Sequence, residues 1–541
     1  MAKAKNGTNG YKTAAAAAAS HEAEWTIMIY MAGDNNLADD SIRALTQMRG
    51  IQTDDDIHVV AQIDPSDQRV ETRRMVLNLG KKKKAPLVAA LEREAKRAVK
   101  PGKGKEVEAG VLRFDTIKRL EDGRLPPGKR KFQPALDPKR PGAANGNGAS
   151  PPDDGETDTA DPATLFDFIS WTKDNLPAKR YMLVLAGHAA GIEDGFLLKD
   201  ENPPGSMKFA ELLEVLRQVR DGLKMKLDIL GFDACLMTMA EICHELRGYA
   251  ELVVGSQGFV PNPGWPYRHV INELRDQIRH GKGGGIEPED VARMVVSNYI
   301  NFYLENAVIG GLSVDQAALR TAAAPGVAAA VKGLAEVLGK LLGEQSAPLN
   351  EAQRAIVIAH WTAQSYNGEL FVDLCDFCEQ LAAYLPGNAK LRAALDGVEQ
   401  AVQEMVVSAC FCGIDSQYSR GLSIFFPWSV LFRGYKDLEF AQETGWYDFL
   451  LTYLNTTRRP ARGAQPDGDL PQVVREIETD RPPFGRKAPP EGHGPSGIVH
   501  SMRNPPRRWL AVDTKEAPCD INVGKRNKLM EEDAYASQSV S

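Results

Sequence analysis

The chain has 541 residues, of which 25% are charged and 43% are hydrophobic, a balance typical of a globular protein with a sizeable core. Its 65 Lys and Arg residues are outnumbered by 72 Asp and Glu residues, and the net charge of -7 argues against nucleic acid as the main partner. The sequence has no run of about 18 consecutive apolar residues, so we expect a soluble protein without a membrane-spanning helix.

The N-terminal segment 1–23 has early lysines and an alanine run, but not the Leu- or Val-rich stretch of a secretory signal. We therefore predict a flexible arm and a cytoplasmic location. Seven cysteines, an odd number, favour reduced thiols over a disulfide framework, in agreement with that location.

Five short apolar runs predict buried strands of a mostly parallel sheet. They span residues 25–31, 57–63, 181–186, 227–232 and 250–255. Between the third and fourth runs, apolar residues recur at helical spacing and predict a crossover helix. These residues are Phe209, Leu212, Leu213, Leu216 and Val219. The order of strands and helices predicts an α/β fold with an open, mostly parallel sheet flanked by helices.

Composition predicts how the rest of the chain is organised. Residues 24–80 and 161–285 form the α/β domain, and 81–160 is a basic and then Pro/Gly-rich insertion too polar to fold alone. Residues 286–455 form an α+β C-terminal subdomain. The Pro- and Arg-rich remainder, 456–541, is a mostly disordered tail.

Two residues with catalytic chemistry follow neighbouring strands. His188 comes just after the run 181–186, and Cys235 comes just after the run 227–232. Parallel strands joined by a crossover helix end at the same edge of a sheet, where active sites of open α/β sheets collect. An imidazole base beside a thiol is typical of a nucleophilic site. The alternative is that both are ordinary loop and core residues.

The predicted helix that begins directly after Cys235 would lower the pKa of its thiol through the helix dipole. Backbone N–H groups of Cys235 and of Ala189, in the loop after His188, would form an oxyanion hole.

Several blocks of the sequence resemble the clostripain family of cysteine peptidases. They include WTIMIYMAGDNNL near the N-terminus, LDILGFDACLMTMAEICHELRGYAELVVGSQ around Cys235, and PNPGWPY at 261–267. The resemblance excludes both termini and the insertion. It implies a caspase-like fold and a cysteine endopeptidase acting on peptides or proteins. By position it makes His188 the general base and Cys235 the nucleophile, and it predicts self-cleavage between them or in the Lys-rich insertion.

The same resemblance gives Asp233 a role in substrate binding. It matches an acid that lines the specificity pocket and favours Arg or Lys before the scissile bond, as a charge-assisted pair would. The alternative for Asp233 is a helix N-cap, and both roles can coexist. Trp265 either walls the substrate groove or pins its loop.

Two departures from the family pattern keep other readings open. Ala189 and Ala190 stand where the family has glycines after the histidine, which would strain the loop if Ala189 needed a positive φ. Pro263 stands where the family has a second acid. A neutral or Lys-tolerant pocket therefore remains an alternative, as does a catalytically silent caspase-like scaffold that recruits partners.

Other motifs favour structural roles. The pairs Cys375/Cys378 and Cys410/Cys412 offer four zinc ligands, but their helix and strand patterns favour core packing. His244 lies about 13 Å along the predicted helix from Cys235 and is expected at the surface or in the core.

The residues 34–36, Asp-Asn-Asn, are expected to cap a helix, with a role beside the active cleft as the alternative. Acids at 153–161 could attract Ca²⁺, which some members of the family require, but their spacing fits no EF-hand and favours a solvated charge run. We expect no metal site, no cofactor and no membrane partner.

Overall fold

The structure is a computed structural model that describes the chain between residues 22 and 457 with gaps. The described ranges are 22–48, 51, 56–65, 73–76, 111–113, 158–192, 197–201, 204–280, 285–306, 312–343, 349–428 and 431–457. Nearly all of the predicted tail and of the N-terminal arm, and most of the insertion 81–160, lie outside these residues; the first two residues of the predicted tail belong to a helix that ends at Thr457.

Strands and helices are numbered in chain order. The strands are β1 (Ala23–Gly33), β2 (Ile57–Pro65), β3 (Arg73–Val76), β4 (Val111–Arg113), β5 (Ala178–Ala186), β6 (Leu197–Glu201), β7 (Pro204–Met207), β8 (Leu227–Asp233), β9 (Ala250–Gly255), β10 (Val314–Arg320), β11 (Ser365–Tyr366), β12 (Phe371–Asp373), β13 (Val406–Cys412) and β14 (Ser423–Phe425). The helices are α1 (Ala38–Met48), α2 (Pro162–Asn175), α3 (Phe209–Asp221), α4 (Ala240–Glu245), α5 (Tyr267–His280), α6 (Pro288–Asn306), α7 (Ala324–Leu342), α8 (Glu351–Thr362), α9 (Leu374–Tyr384), α10 (Ala389–Met405), α11 (Glu439–Thr444) and α12 (Trp446–Thr457).

The chain divides into two compact units. The first unit contains the described residues of Met1–Ala189, Phe196–Asp233 and Asn262–Val291, and the second contains those of Ala190–Gly195, Ala234–Pro261 and Ala292–Ser541. This division differs from the predicted boundary at 285/286. Residues 234–261 group with the second unit because their strand β9 pairs antiparallel with β10.

The first unit is built on a sheet with the order β8-β5-β1-β2-β3-β4. The first four of these strands are parallel, and β3 and β4 add an antiparallel edge. Four of the five predicted strands lie in this unit, each slightly longer than its apolar run, and the fifth is β9 of the second unit. Strand β4 was not foreseen, since it lies within the predicted insertion. It is held there by its pairing with β3.

Helices of the first unit bury one face each. In α3 the buried residues include Leu212, Val215, Leu216 and Val219, which lie on one face at helical spacing, whereas the predicted core residue Leu213 is half-buried. Helix α2 begins at Pro162, and the Asp161 side chain caps it by accepting the Ala163 N–H group. A hairpin of β6 and β7, missed in the sequence, precedes α3.

The second unit combines antiparallel strands with helices. Strands β9, β10 and β13 are antiparallel, and β11, β12 and β14 form a separate antiparallel sheet. By length and composition alone, the segment Thr321–Leu342 would suffice to cross a membrane. In the structure its helix α7 buries one apolar face, including Val331, Leu334 and Leu338, and packs against α10 and α12 as a core helix does.

Candidate active site

Strands β5 and β8 end together at one edge of the first unit's sheet. They are parallel, and their last paired residues are Ala186 and Asp233. The N–H group of Gly187 donates to the Asp233 carbonyl oxygen at 3.2 Å, so the pairing continues one residue past β5. His188 is the second residue after the end of β5, and Cys235 is the second residue after the end of β8. Each predicted catalytic residue thus lies two residues past the end of its strand, and the two strand ends are paired with each other.

The His188 ring is half-buried and held by a side chain from another loop. Its Nε2 lies 2.6 Å from Oδ1 of Asn36, so Nε2–H donates to that amide oxygen and leaves Nδ1 as the proton acceptor. The backbone carbonyl of His188 accepts the Leu198 N–H group of β6 at 2.9 Å. Burial lowers the pKa of His188, and the nearby positive charge of Lys199 lowers it further. The imidazole is therefore neutral near pH 7, as a general base must be.

The loop after β1 positions Asn36. Its neighbour Asn35 is buried, donates to the carbonyl oxygens of Ala32 and Lys199, and accepts the Leu37 N–H group. The Asn35 side chain therefore closes a turn just before α1, and it accepts no N–H group of the helix itself in the contacts described. The contact between Asn36 and His188 was not singled out in the sequence, where only a general role beside the cleft was weighed.

Asp233 is the last residue of β8 and is buried. Its Oδ2 accepts two hydrogen bonds, from the Trp265 N–H group at 3.0 Å and from the Tyr267 hydroxyl at 2.7 Å. Its Oδ1 is also buried and accepts no hydrogen bond from the described residues. Burial raises the pKa of Asp233 to about 6. The alternative role as N-cap is wrong for the next helix, because the N-cap of α4 is Met239.

The PGW segment, residues 263–265, packs against the Asp233 carboxylate. Gly264 has a φ of 64°, and a Cβ there would lie 2.5 Å from Oδ2 of Asp233, so the position requires glycine for two reasons. The Trp265 ring is 2% exposed and sits over Gly231, whose own Cβ would lie 2.7 Å from the ring. This burial agrees with the loop-pinning alternative for Trp265. The structure brings Trp265 and Asp233 together through the backbone of Trp265.

Cys235 belongs to the second unit, where it occupies a turn. The predicted helix directly after it is absent, because Leu236 has a left-handed φ of 65° and α4 begins only at Ala240. Helix α4 has six residues and starts five positions after the thiol, so the predicted dipole effect on Cys235 is wrong.

Backbone hydrogen bonds hold the turn that contains Cys235. The N–H groups of Leu236 and Met237 donate to the carbonyl oxygens of Gly258 and Ser256, at 3.0 and 2.9 Å. The N–H group of Val260 donates to the Cys235 sulfur at 3.3 Å. The thiol is half-buried, whereas the other five described cysteines are buried, and all six are free of disulfides. Sequence reasoning missed Val260, because a backbone donor leaves no mark on residue type.

Positive φ angles near His188 fall on glycines. Gly187 has a φ of 152° and Gly191 one of 68°, while Ala189 is not among the described residues with positive φ. Ala189 forms a single antiparallel bridge with Leu197 of β6. The strain considered for the altered loop is therefore absent at Ala189.

The remaining candidates have structural surroundings. Cys375 and Cys378 are buried in α9, and Cys410 and Cys412 are buried on one face of β13. Burial raises the pKa of the Cys375 and Cys378 thiols.

Only one group of metal-ligating side chains comes together in the part of the chain that the structure describes: His244, Glu439 and Glu443. His244 is 1% exposed, and its Nε2 lies 3.0 Å from Glu443. The Arg247 guanidinium donates to Glu439 at 2.6 Å and brings positive charge to the group, so we assign an ion-pair cluster.

A sequence model of the clostripain family matches residues 147–453, more than half of the chain. The chain belongs to the clostripain family. Clostripain of Hathewaya histolytica is 28% identical over 177 residues, which are 30% of this chain and 32% of that protein. The alignment thus spans about a third of the length of that curated relative.

The fold is also similar to solved clostripain-family structures. A secreted C11 cysteine protease from Bacteroides thetaiotaomicron, in complex with an irreversible peptide inhibitor, has 15% identity and a TM-score of 0.50 and covers 79% of this chain and 99% of its own. An inactive zymogen C11 protease from Parabacteroides distasonis has 15% identity, a TM-score of 0.47, and coverage of 78% and 98%. The first likeness confirms the predicted caspase-like α/β fold.

Proposed function

We propose that this member of the clostripain family is a cysteine endopeptidase in which Cys235 is the nucleophile and His188 the general base. The observation that carries the proposal is the register of β5 and β8. The two parallel strands end at the pair Ala186 and Asp233, and each is followed two residues later by one of the two reactive side chains.

In the proposed reaction, His188 Nδ1 takes the proton of the Cys235 thiol, and the sulfur attacks the carbonyl carbon of the scissile peptide bond. Backbone N–H groups of Cys235 and Ala189 hold the negative oxygen of the tetrahedral intermediate. His188 then gives its proton to the leaving nitrogen as the C–N bond breaks. Water then attacks the resulting thioester while His188 accepts its proton, and the C–S bond breaks to release the carboxylic acid product as the proton returns to the Cys235 sulfur.

Asn36 supports this assignment of the two ring nitrogens. Because its Oδ1 accepts the Nε2–H group of His188, the neutral tautomer has its lone pair on Nδ1. The same hydrogen bond strengthens when the ring becomes an imidazolium. We infer that Asn36 orients the base and stabilises its charged form during the reaction.

We further propose that Asp233 recognises Arg or Lys before the scissile bond. A buried carboxylate with one oxygen lacking a hydrogen-bond partner among the described residues is unfavourable until a cation completes it. The absence of strain at Ala189 weakens the argument for a silent scaffold, which then rests on Pro263 alone.

A panel of peptide reporters ending in Arg, Lys or a neutral residue tests the proposal. We expect turnover of the basic reporters by the full chain, and no turnover by Cys235→Ala. The matched control is Cys243→Ala, which removes a buried thiol eight positions away and should keep activity. Turnover that survives Cys235→Ala would contradict the proposal. No turnover by the wild type, with no labelling by a thiol-reactive peptide ketone, would favour the scaffold.

The same panel tests the need for an ion and self-cleavage. We expect turnover to persist in EDTA, since the spacing of the acids at 153–161 fits no EF-hand. Wild-type protein should show fragments on a gel that the Cys235→Ala variant lacks; identical fragments in both would refute self-cleavage.

A further inference from the structure

Two backbone segments of the second unit are joined around the proposed nucleophile. The cysteine turn, residues 235–238, donates the N–H groups of Leu236, Met237 and Thr238 to carbonyl oxygens of the clamp loop, residues 256–260. In return, Val260 of the clamp loop donates its N–H group to the Cys235 sulfur at 3.3 Å. The position of that donor relative to the sulfur therefore depends on what holds the clamp loop.

A single carboxylate holds the clamp loop from β10. Oδ1 of Asp315 accepts the Gln257 N–H group at 2.6 Å, and Oδ2 accepts the Gly258 N–H group at 2.9 Å. Asp315 is 2% exposed, and both donors lie just past the end of β9. A Cβ at Gly258 would lie 2.8 Å from Oδ2, so the close approach of loop and carboxylate requires glycine.

The side chain of Gln257 fixes the same loop from a third direction. Its Oε1 accepts the Gly421 N–H group at 2.6 Å, and its Nε2 donates to Asp373 at 2.9 Å. Gln257 is fully buried. The loop is thereby held by charged and polar partners from three distant parts of the sequence.

We propose that Asp315 is a positioning residue for the nucleophile: by holding the Gln257 and Gly258 N–H groups, it keeps the Val260 N–H group against the Cys235 sulfur. This inference rests on the proposed function, in which Cys235 is the attacking group. The Val260 N–H group favours the thiolate, because hydrogen bonds to charged acceptors are the stronger ones. It is closer to the sulfur, at 3.3 Å, than the Val260 carbonyl oxygen, which accepts from the thiol at 3.9 Å. Asp315 thus acts on reactivity through the clamp loop and touches no reacting atom.

A purely structural role for Asp315 is the competing explanation. Burial raises its pKa to about 6, and a buried carboxylate with satisfied hydrogen bonds stabilises many folds without any link to catalysis. The two explanations differ in what Asp315→Asn does to the sulfur. A structural role changes stability alone, whereas a positioning role changes the reactivity of Cys235 in the folded protein.

The test is the rate of Cys235 alkylation by iodoacetamide, followed by mass spectrometry of the peptide that contains it, as a function of pH. This readout measures the thiol without peptide hydrolysis. For Asp315→Asn we expect a rate roughly tenfold lower at pH 7, the loss typical of one hydrogen bond to a charged group, and a pH midpoint displaced upwards. The kcat/KM for a basic reporter should fall by a similar factor with KM unchanged.

The matched control is Glu241→Gln. Glu241 is fully buried and accepts hydrogen bonds from the Phe425 N–H group and the Tyr435 hydroxyl, away from the clamp loop. We expect lower stability for this variant with a wild-type alkylation profile. If Asp315→Asn also keeps the wild-type profile while folded, the positioning role is wrong.

A second variant covers the case in which Asp315→Asn does not fold. Gly258→Ala places a Cβ against Oδ2 of Asp315 and should displace the clamp loop with the same drop in alkylation rate. A folded Gly258→Ala with unchanged alkylation would overturn the inference. Failure of the proposed function is a separate result, seen as peptide turnover that survives Cys235→Ala.

Discussion

His188 and Cys235 are held by different kinds of contact. In the first unit, His188 follows a regular parallel strand, and its ring contacts the side chain of Asn36. In the second unit, Cys235 lies in an irregular turn held by backbone hydrogen bonds and, one layer further out, by the buried Asp315. The His188 ring therefore has a direct contact with a side chain 152 residues away in sequence, whereas the Cys235 sulfur is linked to Asp315 only through the backbone of an intervening loop.

The largest effect should come from removing the base. We expect His188→Ala to lower kcat/KM by about a thousandfold, since general-base catalysis contributes roughly 10²–10⁴. The matched control is His280→Gln at the exposed end of α5, which should retain wild-type kinetics. A kcat/KM of His188→Ala within threefold of the wild-type value would contradict the proposed role of His188 as the base.

The next effect concerns the carboxylate below the PGW segment. Asp233→Asn should lower kcat/KM for Arg and Lys reporters by about 10- to 100-fold, the worth of a charge-assisted pair, and leave neutral reporters unchanged. Asp228, near the start of β8, is a control on the same strand, because it accepts the Tyr181 N–H group. Asp228→Asn should affect stability without changing selectivity. Equal losses on all reporters would argue against charge recognition by Asp233.

Variants of Asn36 and Asn35 test separately the contact with His188 and the stability of the loop that carries both asparagines. We expect Asn36→Ala to lower kcat about tenfold with KM unchanged, because the His188 tautomer and orientation are no longer fixed. Asn35→Ala removes three hydrogen bonds of the loop and should instead lower the free energy of unfolding by about 1–3 kcal/mol. Thermal unfolding and steady-state kinetics on both variants separate the two roles.

The sequence predicts the first unit better than the second for a physical reason. Strands such as β1 and β5 could be predicted from their apolar runs, because a strand buried on both faces is apolar along its length. The turn at Leu236 could not be predicted, because leucine rarely adopts a left-handed φ. Here that conformation accompanies hydrogen bonds from the turn to the clamp loop.

The candidate site divides in the same way. His188 and Cys235 could be found because strand ends locate them, and Asp233 because it lies two residues before the cysteine. Asn36 was visible only as one of several polar residues in a loop. Asp315 could not be singled out, because nothing in its local sequence reveals that its carboxylate accepts N–H groups 58 and 57 residues earlier.

The smallest effect is electrostatic. Lys199 lowers the pKa of His188 and Glu201 raises it, so the two charges oppose each other. Lys199→Met should raise that pKa, and activity should then be lost at a higher pH on the acid side. Glu201→Gln should displace the same limb to lower pH. Both displacements should be larger at low salt than at high salt, because dissolved ions screen the two charges. Displacements in the same direction for both variants would contradict the assignment of His188 as the titrating base.

The central claim is that Cys235 reacts as a thiolate with His188 as its base. Its most direct test is labelling with a thiol-reactive peptide ketone ending in arginine, with the adduct located by mass spectrometry in the wild type and in His188→Ala. We predict one adduct, on Cys235, formed far more slowly in the variant. An adduct on another cysteine, or equal labelling rates in both proteins, would contradict the claim.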